Sequence, residues 1–149
     1  MAFRTPMFFK YFAQPYRVDS TPDGGLTGKI LDLGTGEFVE DDSHIREAVW
    51  ATTSSDIRTL TEDRFVQETE AARNEWLRGE GAIFALYETV NGIYQLARDE
   101  DRPMAPEERA LIQSIYRRTF TMWEDESARR AAGEPPSFPV TSRFPEGST

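Results

Sequence analysis

The sequence predicts an α+β protein: an N-terminal antiparallel β-meander of three or four short strands, then three main helices and an extended proline-rich tail. Short apolar segments between glycine-containing turns occupy the first forty residues, which is typical of a meander. Apolar residues then recur at helical spacing from Thr59 to Arg130. A chain of 149 residues fits one domain. We assign residues 1–132 to a single α+β domain and residues 133–149 to the tail.

Glycine and proline separate the strands of the predicted meander. Residues 16–19 form a short strand, and residues 21–25 form a turn because proline presets one φ and glycine supplies a positive one. A strand over 26–33 follows, and the glycine-rich loop at 34–36 joins it to residues 37–40 as a hairpin. Four aromatic residues before this meander provide either an additional edge strand or cover for one sheet face: Phe8, Phe9, Tyr11 and Phe12.

The remaining elements follow from capping residues and apolar periodicity. Cap-type residues at 41–43 predict a short helix over about 43–51, and residues 57–60 alternate like one more strand. Either Thr61 caps the next helix, or that helix begins at Thr59 with a capping box. Three long helices with apolar stripes are then predicted over 62–78, 82–98 and 106–131. The proline-rich tail favours extended geometry, and we expect its aromatic residues to dock on something.

Composition excludes several classes of function. Seventeen basic and twenty-six acidic residues give a net charge of −9, which disfavours direct nucleic-acid binding. The absence of cysteine removes disulfides, thiolate nucleophiles and soft metal ligands. No stretch reaches the roughly 20 apolar residues of a membrane span, and residues 1–18 contain no signal-peptide core. We therefore expect a cytoplasmic protein.

The sequence offers no pattern that builds a reactive centre. Its single histidine, His44, lies among Asp41, Asp42 and Glu47, but aspartates at that position are better explained as helix caps than as metal ligands. No serine nucleophile has a recognisable histidine base. We expect no catalytic, metal-binding or cofactor-binding residue and no cofactor, and an enzymatic activity is not predicted.

One short motif supports an alternative. Residues 30–38, Ile-Leu-Asp-Leu-Gly-Thr-Gly-Glu-Phe, resemble the first motif of Rossmann-type S-adenosylmethionine methyltransferases. The resemblance implies that Asp32, Gly34 and Gly36 approach the cofactor. Phe38 departs from the pattern, because it stands where the family usually has a third glycine.

The abundance of apolar helix surface and the lack of reactive groups predict a non-enzymatic protein-binding module. It would act as an inhibitor, adaptor or accessory subunit on another protein or on a second copy of itself. A second alternative is an acidic inhibitor that mimics nucleic acid and binds a basic partner. The predicted contact residues come from the acidic hairpin edge, the third long helix and the tail: Glu37, Glu40, Asp41, Asp42, Tyr116, Phe120, Trp123, Phe138 and Phe144.

Overall fold

The computed structural model describes residues 4–50 and 55–143, and it confirms the α+β class. Its N-terminal part is a five-stranded antiparallel sheet with the strand order β4-β3-β2-β1-β5. The strands are β1 (Met7–Tyr11), β2 (Gln14–Ser20), β3 (Leu26–Leu31), β4 (Phe38–Glu40) and β5 (Ile57–Leu60).

The aromatic segment before the meander forms a strand, but this strand does not lie at the sheet edge. β1 pairs with β2 on one side and with β5 on the other, so the two edges are β4 and β5. Phe12 begins the tight turn between β1 and β2 with a φ of 55°, and its N–H donates to the Asp56 carbonyl at 2.7 Å. This bond extends the pairing of the β1 end with β5.

Three main helices and one short helix complete the fold. A 3-10 turn over Asp42–His44 leads into the short helix α1 (Ile45–Trp50). The main helices are α2 (Glu62–Trp76), α3 (Ala82–Asp99) and α4 (Pro106–Ala131). Thr61 caps α2, since its hydroxyl accepts from the Arg64 N–H at 3.1 Å.

The sheet lies between α1 and α2. On one face, Phe9, Tyr16, Val18 and Ile30 pack against Ala48 of α1. Strand alternation turns the next residues to the opposite face, which packs against α2. There the rings of Phe8 and Phe38 lie 4.7 and 5.5 Å from the ring of Phe65.

A second apolar core joins the helices to one another. Helix α4 packs against both α2 and α3. The buried members of this core come from α3, from α4 and from the residue that follows α2: Leu77, Ile83, Phe84, Tyr87, Val90, Ile112, Ile115, Tyr116 and Trp123.

The described part of the tail, residues 133–143, docks on the rest of the chain. Leu77 and Arg78, the last residues of the helix predicted over 62–78, instead belong to a strand, β6 (Leu77–Gly79), that pairs antiparallel with β7 (Val140–Ser142). Helix α2 therefore ends two residues earlier than predicted. The ring of Phe138 lies edge-on to Trp123 at 5.4 Å and to Phe84 at 5.8 Å. Phe144 lies outside the described residues.

Candidate functional site

A closed polar network occupies the centre of the helical core. The Arg73 Nη1 atom donates to Glu70 Oε2 at 2.7 Å, and both side chains are buried. The Tyr87 hydroxyl donates to the other Glu70 oxygen at 2.8 Å, and it accepts from the Trp123 indole N–H at 2.9 Å. Burial raises the pKa of Tyr87, and the negative charge of Glu70 acts in the same direction. Because Glu70, Tyr87 and Trp123 are hydrogen-bonded within the network, these three side chains have a structural role.

The same arginine holds the β3–β4 turn against the helices. Arg73 Nε donates to the Gly36 carbonyl at 2.8 Å, and its guanidinium lies 4.6 Å from the Trp123 ring centroid. Gly36 has a φ of +80°, and a Cβ there would lie 2.5 Å from Leu77 Cδ1 and 2.9 Å from Trp123 Cη2. Glycine is therefore required by both conformation and close approach.

The hairpin predicted at residues 34–36 is confirmed, and the methyltransferase-like motif forms its turn. The turn joins two antiparallel strands and is not followed by a helix. The Asp32 carboxylate accepts from the Gly34 N–H at 2.8 Å and so caps its own turn. The space between the turn and α2 is too small to hold a water molecule. Asp32, Gly34 and Gly36 thus have a structural explanation that needs no cofactor.

Two of the three predicted helix aromatics are core residues. Tyr116 is 4% exposed and Trp123 is 0% exposed, so the expectation that they form an exposed contact surface is wrong. They are buried because α2, α3 and the tail residue Phe138 cover that side of α4. Phe120 points to a neighbouring side and remains partly exposed.

Two predicted acidic contact residues stabilise local structure. Asp41 caps the 3-10 turn, accepting from the Ser43 N–H at 3.0 Å and from the Ser43 hydroxyl. The Ser43 bonds hold the pKa of Asp41 below its usual range. Asp42 Oδ1 accepts from the Gly28 N–H at 2.7 Å and from the Thr27 hydroxyl at 3.1 Å.

The other two acidic residues lie on or beside β4. Glu37 Oε1 lies 3.5 Å from Arg130 Nη1. Glu40 is exposed, and no described cation lies within 4 Å of its carboxylate. Glu40 is the register partner of Lys29 on β3, so both residues lie on the sheet face that packs against α2.

A groove on this face lies between the sheet, α2 and α4, and it is here called the sheet–helix groove. It consists of two adjoining depressions of about 680 and 240 Å³ that share Arg17 and Glu124. The larger depression is also lined by Glu62, Asp63, Val66, Arg117, Phe120 and Thr121. The smaller one is also lined by Asp19, Lys29, Phe38, Phe65, Arg73 and Ser127.

Charges of both signs line the groove, and they differ in how they are paired. Arg17 binds Asp19 through two hydrogen bonds of 2.9 and 3.1 Å. Lys29 and Glu124 are exposed, and neither forms an ion pair within 4 Å in the described part of the chain. These two side chains are available to an incoming molecule.

The described residues hold no arrangement suited to metal binding, because no three His, Asp or Glu side chains are grouped to hold an ion. His44 instead stacks on the Tyr11 ring at 4.1 Å, and its Nε2 lies 3.3 Å from Asp41 Oδ2. No helix in ranges 4–50 and 55–143 has the length and apolar character needed to cross a bilayer.

Comparison of the chain with protein-family models, with curated proteins and with solved structures finds no match in any of the three. The groove therefore has to be interpreted from its own residues.

Of the contact residues predicted from the sequence, Phe120 lines the groove and Glu40 pairs in register with the groove residue Lys29; the other lining residues were missed. Side chains alternate between the two faces along β3, so Lys29 lies on the other face from the buried, apolar Ile30. This alternation could have marked Lys29 as an exposed strand residue. No comparable signal marks Val66 or Glu124, because their proximity depends on how α2 and α4 pack.

Proposed function

We propose that this protein is a non-enzymatic protein-binding module, an inhibitor, adaptor or accessory subunit, that takes a segment of another protein into the sheet–helix groove. The observation that carries the proposal is a partly exposed aromatic floor at Phe120, bordered by the unpaired charges of Lys29 and Glu124.

An aromatic floor beside charged groups is the usual composition of a protein-binding surface. Burial of Phe120 and Val66 under a partner would supply affinity, because both side chains lie at the surface of the larger depression. Lys29 and Glu124 would supply orientation, since each attracts one sign of charge at the smaller depression. A partner segment with an apolar side chain flanked by charged residues fits this surface.

Most residues of the acidic hairpin edge lie outside the proposed contact surface. Asp41 and Asp42 are engaged in hydrogen bonds within the fold, and Glu37 lies near Arg130. Glu40 is the register partner of Lys29, which lines the smaller depression. A mimic of nucleic acid would need a continuous set of free carboxylates, so the groove supports a mixed-charge partner better.

The test is a comparison of two arginine substitutions on the exposed surface of α4. Thr121→Arg places a long side chain over the groove floor, whereas Ser114→Arg adds the same charge at an exposed position that does not line the groove. Tagged wild-type protein and both variants are used to capture partners from cells of the source organism, with quantitative mass spectrometry. Thermal unfolding of all three establishes that each is folded.

We expect a partner that wild type and Ser114→Arg capture equally and that Thr121→Arg loses. With that partner purified, Thr121→Arg should raise the Kd at least tenfold. Equal capture by the two variants, or the absence of any partner that discriminates between them, would overturn the proposal. Self-association of the purified protein that Thr121→Arg abolishes would replace the partner by a second copy of this chain.

A further inference from the structure

A second cleft lies on the other side of α2, where α2 meets the end of α3 and the start of α4. Its volume is about 290 Å³, close to the lower limit of small-molecule pockets, which span roughly 300–1,000 Å³. It shares no lining residue with the sheet–helix groove. The residues that matter here are Arg64, Glu68, Tyr94, Met104, Arg109 and Tyr116.

The cleft is locally cationic in a chain whose net charge is −9. Glu68 is the single acidic residue of its lining. That carboxylate is paired with two cations, Lys10 Nζ at 3.2 Å and Arg64 Nη2 at 3.2 Å. Arg109 also lines the cleft and forms no ion pair within 4 Å in the described ranges. The lining therefore has two arginines and one carboxylate that is already paired, and Arg109 is free to bind an anion.

Two glutamines, Gln67 and Gln113, also line the cleft, and its aromatic and apolar side chains suit a flat apolar body. Tyr94, which is 38% exposed, and Met104 lie at the cleft beside Ile112 and the ring of Tyr116. The Tyr116 hydroxyl accepts from the Asn74 side-chain amide at 3.1 Å, which fixes the orientation of that ring. Thioether and aromatic groups contact aromatic rings favourably.

We propose that this cleft binds a small organic carboxylate with an aromatic body. The carboxylate pairs with the Arg109 guanidinium, and the ring lies between Tyr94 and Met104. The volume limits the ligand to one or two fused rings. The site is separate from the sheet–helix groove, so its ligand adds to the proposed protein-binding function and does not depend on it.

The experiment uses 2-naphthoate as the probe and 2-naphthamide as its uncharged isostere. The full chain is labelled at its methionine methyl groups, and its four methionines are followed by NMR during titration. The Met104 signal, identified with a Met104→Leu variant, reports the cleft directly. Arg109→Gln removes the proposed anion partner, and Arg118→Gln is the matched control at another exposed arginine of α4.

We expect a saturable shift of the Met104 signal with 2-naphthoate in wild type and in Arg118→Gln. Arg109→Gln, or replacement of the probe by 2-naphthamide, should weaken binding about tenfold, because each removes one partner of a charge-assisted hydrogen bond. Equal binding of the two probes, an unchanged affinity in Arg109→Gln, or equal shifts of all methionine signals would overturn the proposal. None of these outcomes bears on the sheet–helix groove, because that proposal is tested with a different variant, Thr121→Arg.

Discussion

The core network and the sheet–helix groove adjoin at Arg73, and they differ in that the groove also carries exposed charges without an ion-pair partner. In the core, Glu70 and Arg73 are buried and each is hydrogen-bonded within the chain. In the groove, Lys29 and Glu124 are exposed and have no ion-pair partner within 4 Å among the described residues. A buried charge must be paired inside the protein, whereas an exposed charge is solvated by water until a partner arrives. Pairing therefore distinguishes residues that hold the fold from residues available for binding.

The largest effect should come from removing the buried arginine. Arg73→Met leaves the Glu70 carboxylate buried without its cation and the Gly36 carbonyl without its donor. We expect the free energy of unfolding to fall by about 3–5 kcal/mol, measured by urea denaturation. The matched control is Arg117→Met, which breaks a 3.1 Å ion pair with Asp63 between two exposed side chains. That variant should lose less than about 1 kcal/mol. Equal losses would remove the distinction between the two regions.

Substitutions at Gly36 and Gly24 distinguish the cost of close packing from the cost of a positive φ. Gly36→Ala places a methyl group against Leu77 and Trp123 at a φ of +80°, so we expect a loss of about 2–3 kcal/mol. Gly24 has a similar φ of +89° but nothing within 4 Å of its added Cβ. Gly24→Ala should lose only about 1 kcal/mol in the same denaturation experiment. A loss at Gly36 no larger than that at Gly24 would show that the turn is not packed against the helices.

A smaller loss of stability is expected at alkaline pH, from ionisation of the buried Tyr16. Burial, together with the charges of Asp41 and Asp42, raises the pKa of Tyr16 from 10.0 to about 12. The folded state thus favours the neutral phenol. Its contribution to stability is complete below pH 10, the unfolded pKa, and is lost as the pH rises towards 12. By pH 11 this loss should be about 1 kcal/mol.

The control for this titration is Tyr16→Phe, compared with wild type over pH 9 to 12. The variant loses the 2.6 Å hydrogen bond to the Asp41 carbonyl at every pH, so its stability starts lower. Its stability should fall less steeply between pH 10 and 12, because one buried phenol no longer ionises. Parallel curves for the two proteins would contradict the assigned pKa.

Local pattern predicted most of the fold. The helix predicted over 106–131 coincides with Pro106–Ala131, because proline at the first position and a long apolar stripe define it from within. The strand pair β6–β7 was missed, since Leu77–Gly79 and Val140–Ser142 are far apart in sequence and each is only three residues long. The site was harder to predict for a related reason. Apolar periodicity places Trp123 and Phe120 on adjoining lines of α4. Trp123 is buried and Phe120 is partly exposed because of how α2, α3 and Phe138 pack on α4, which the periodicity does not predict.

Site-specific photo-crosslinking tests the central claim most directly. A photoreactive benzophenone amino acid is placed at Thr121, in the groove, or at Ser114, elsewhere on the exposed surface of α4. Both proteins are irradiated in cells of the source organism, and the crosslinked products are identified by mass spectrometry. We predict a discrete product between this chain and a partner from Thr121 and none from Ser114. The same products from both positions, or none from Thr121, would contradict the assignment of the groove as the contact surface.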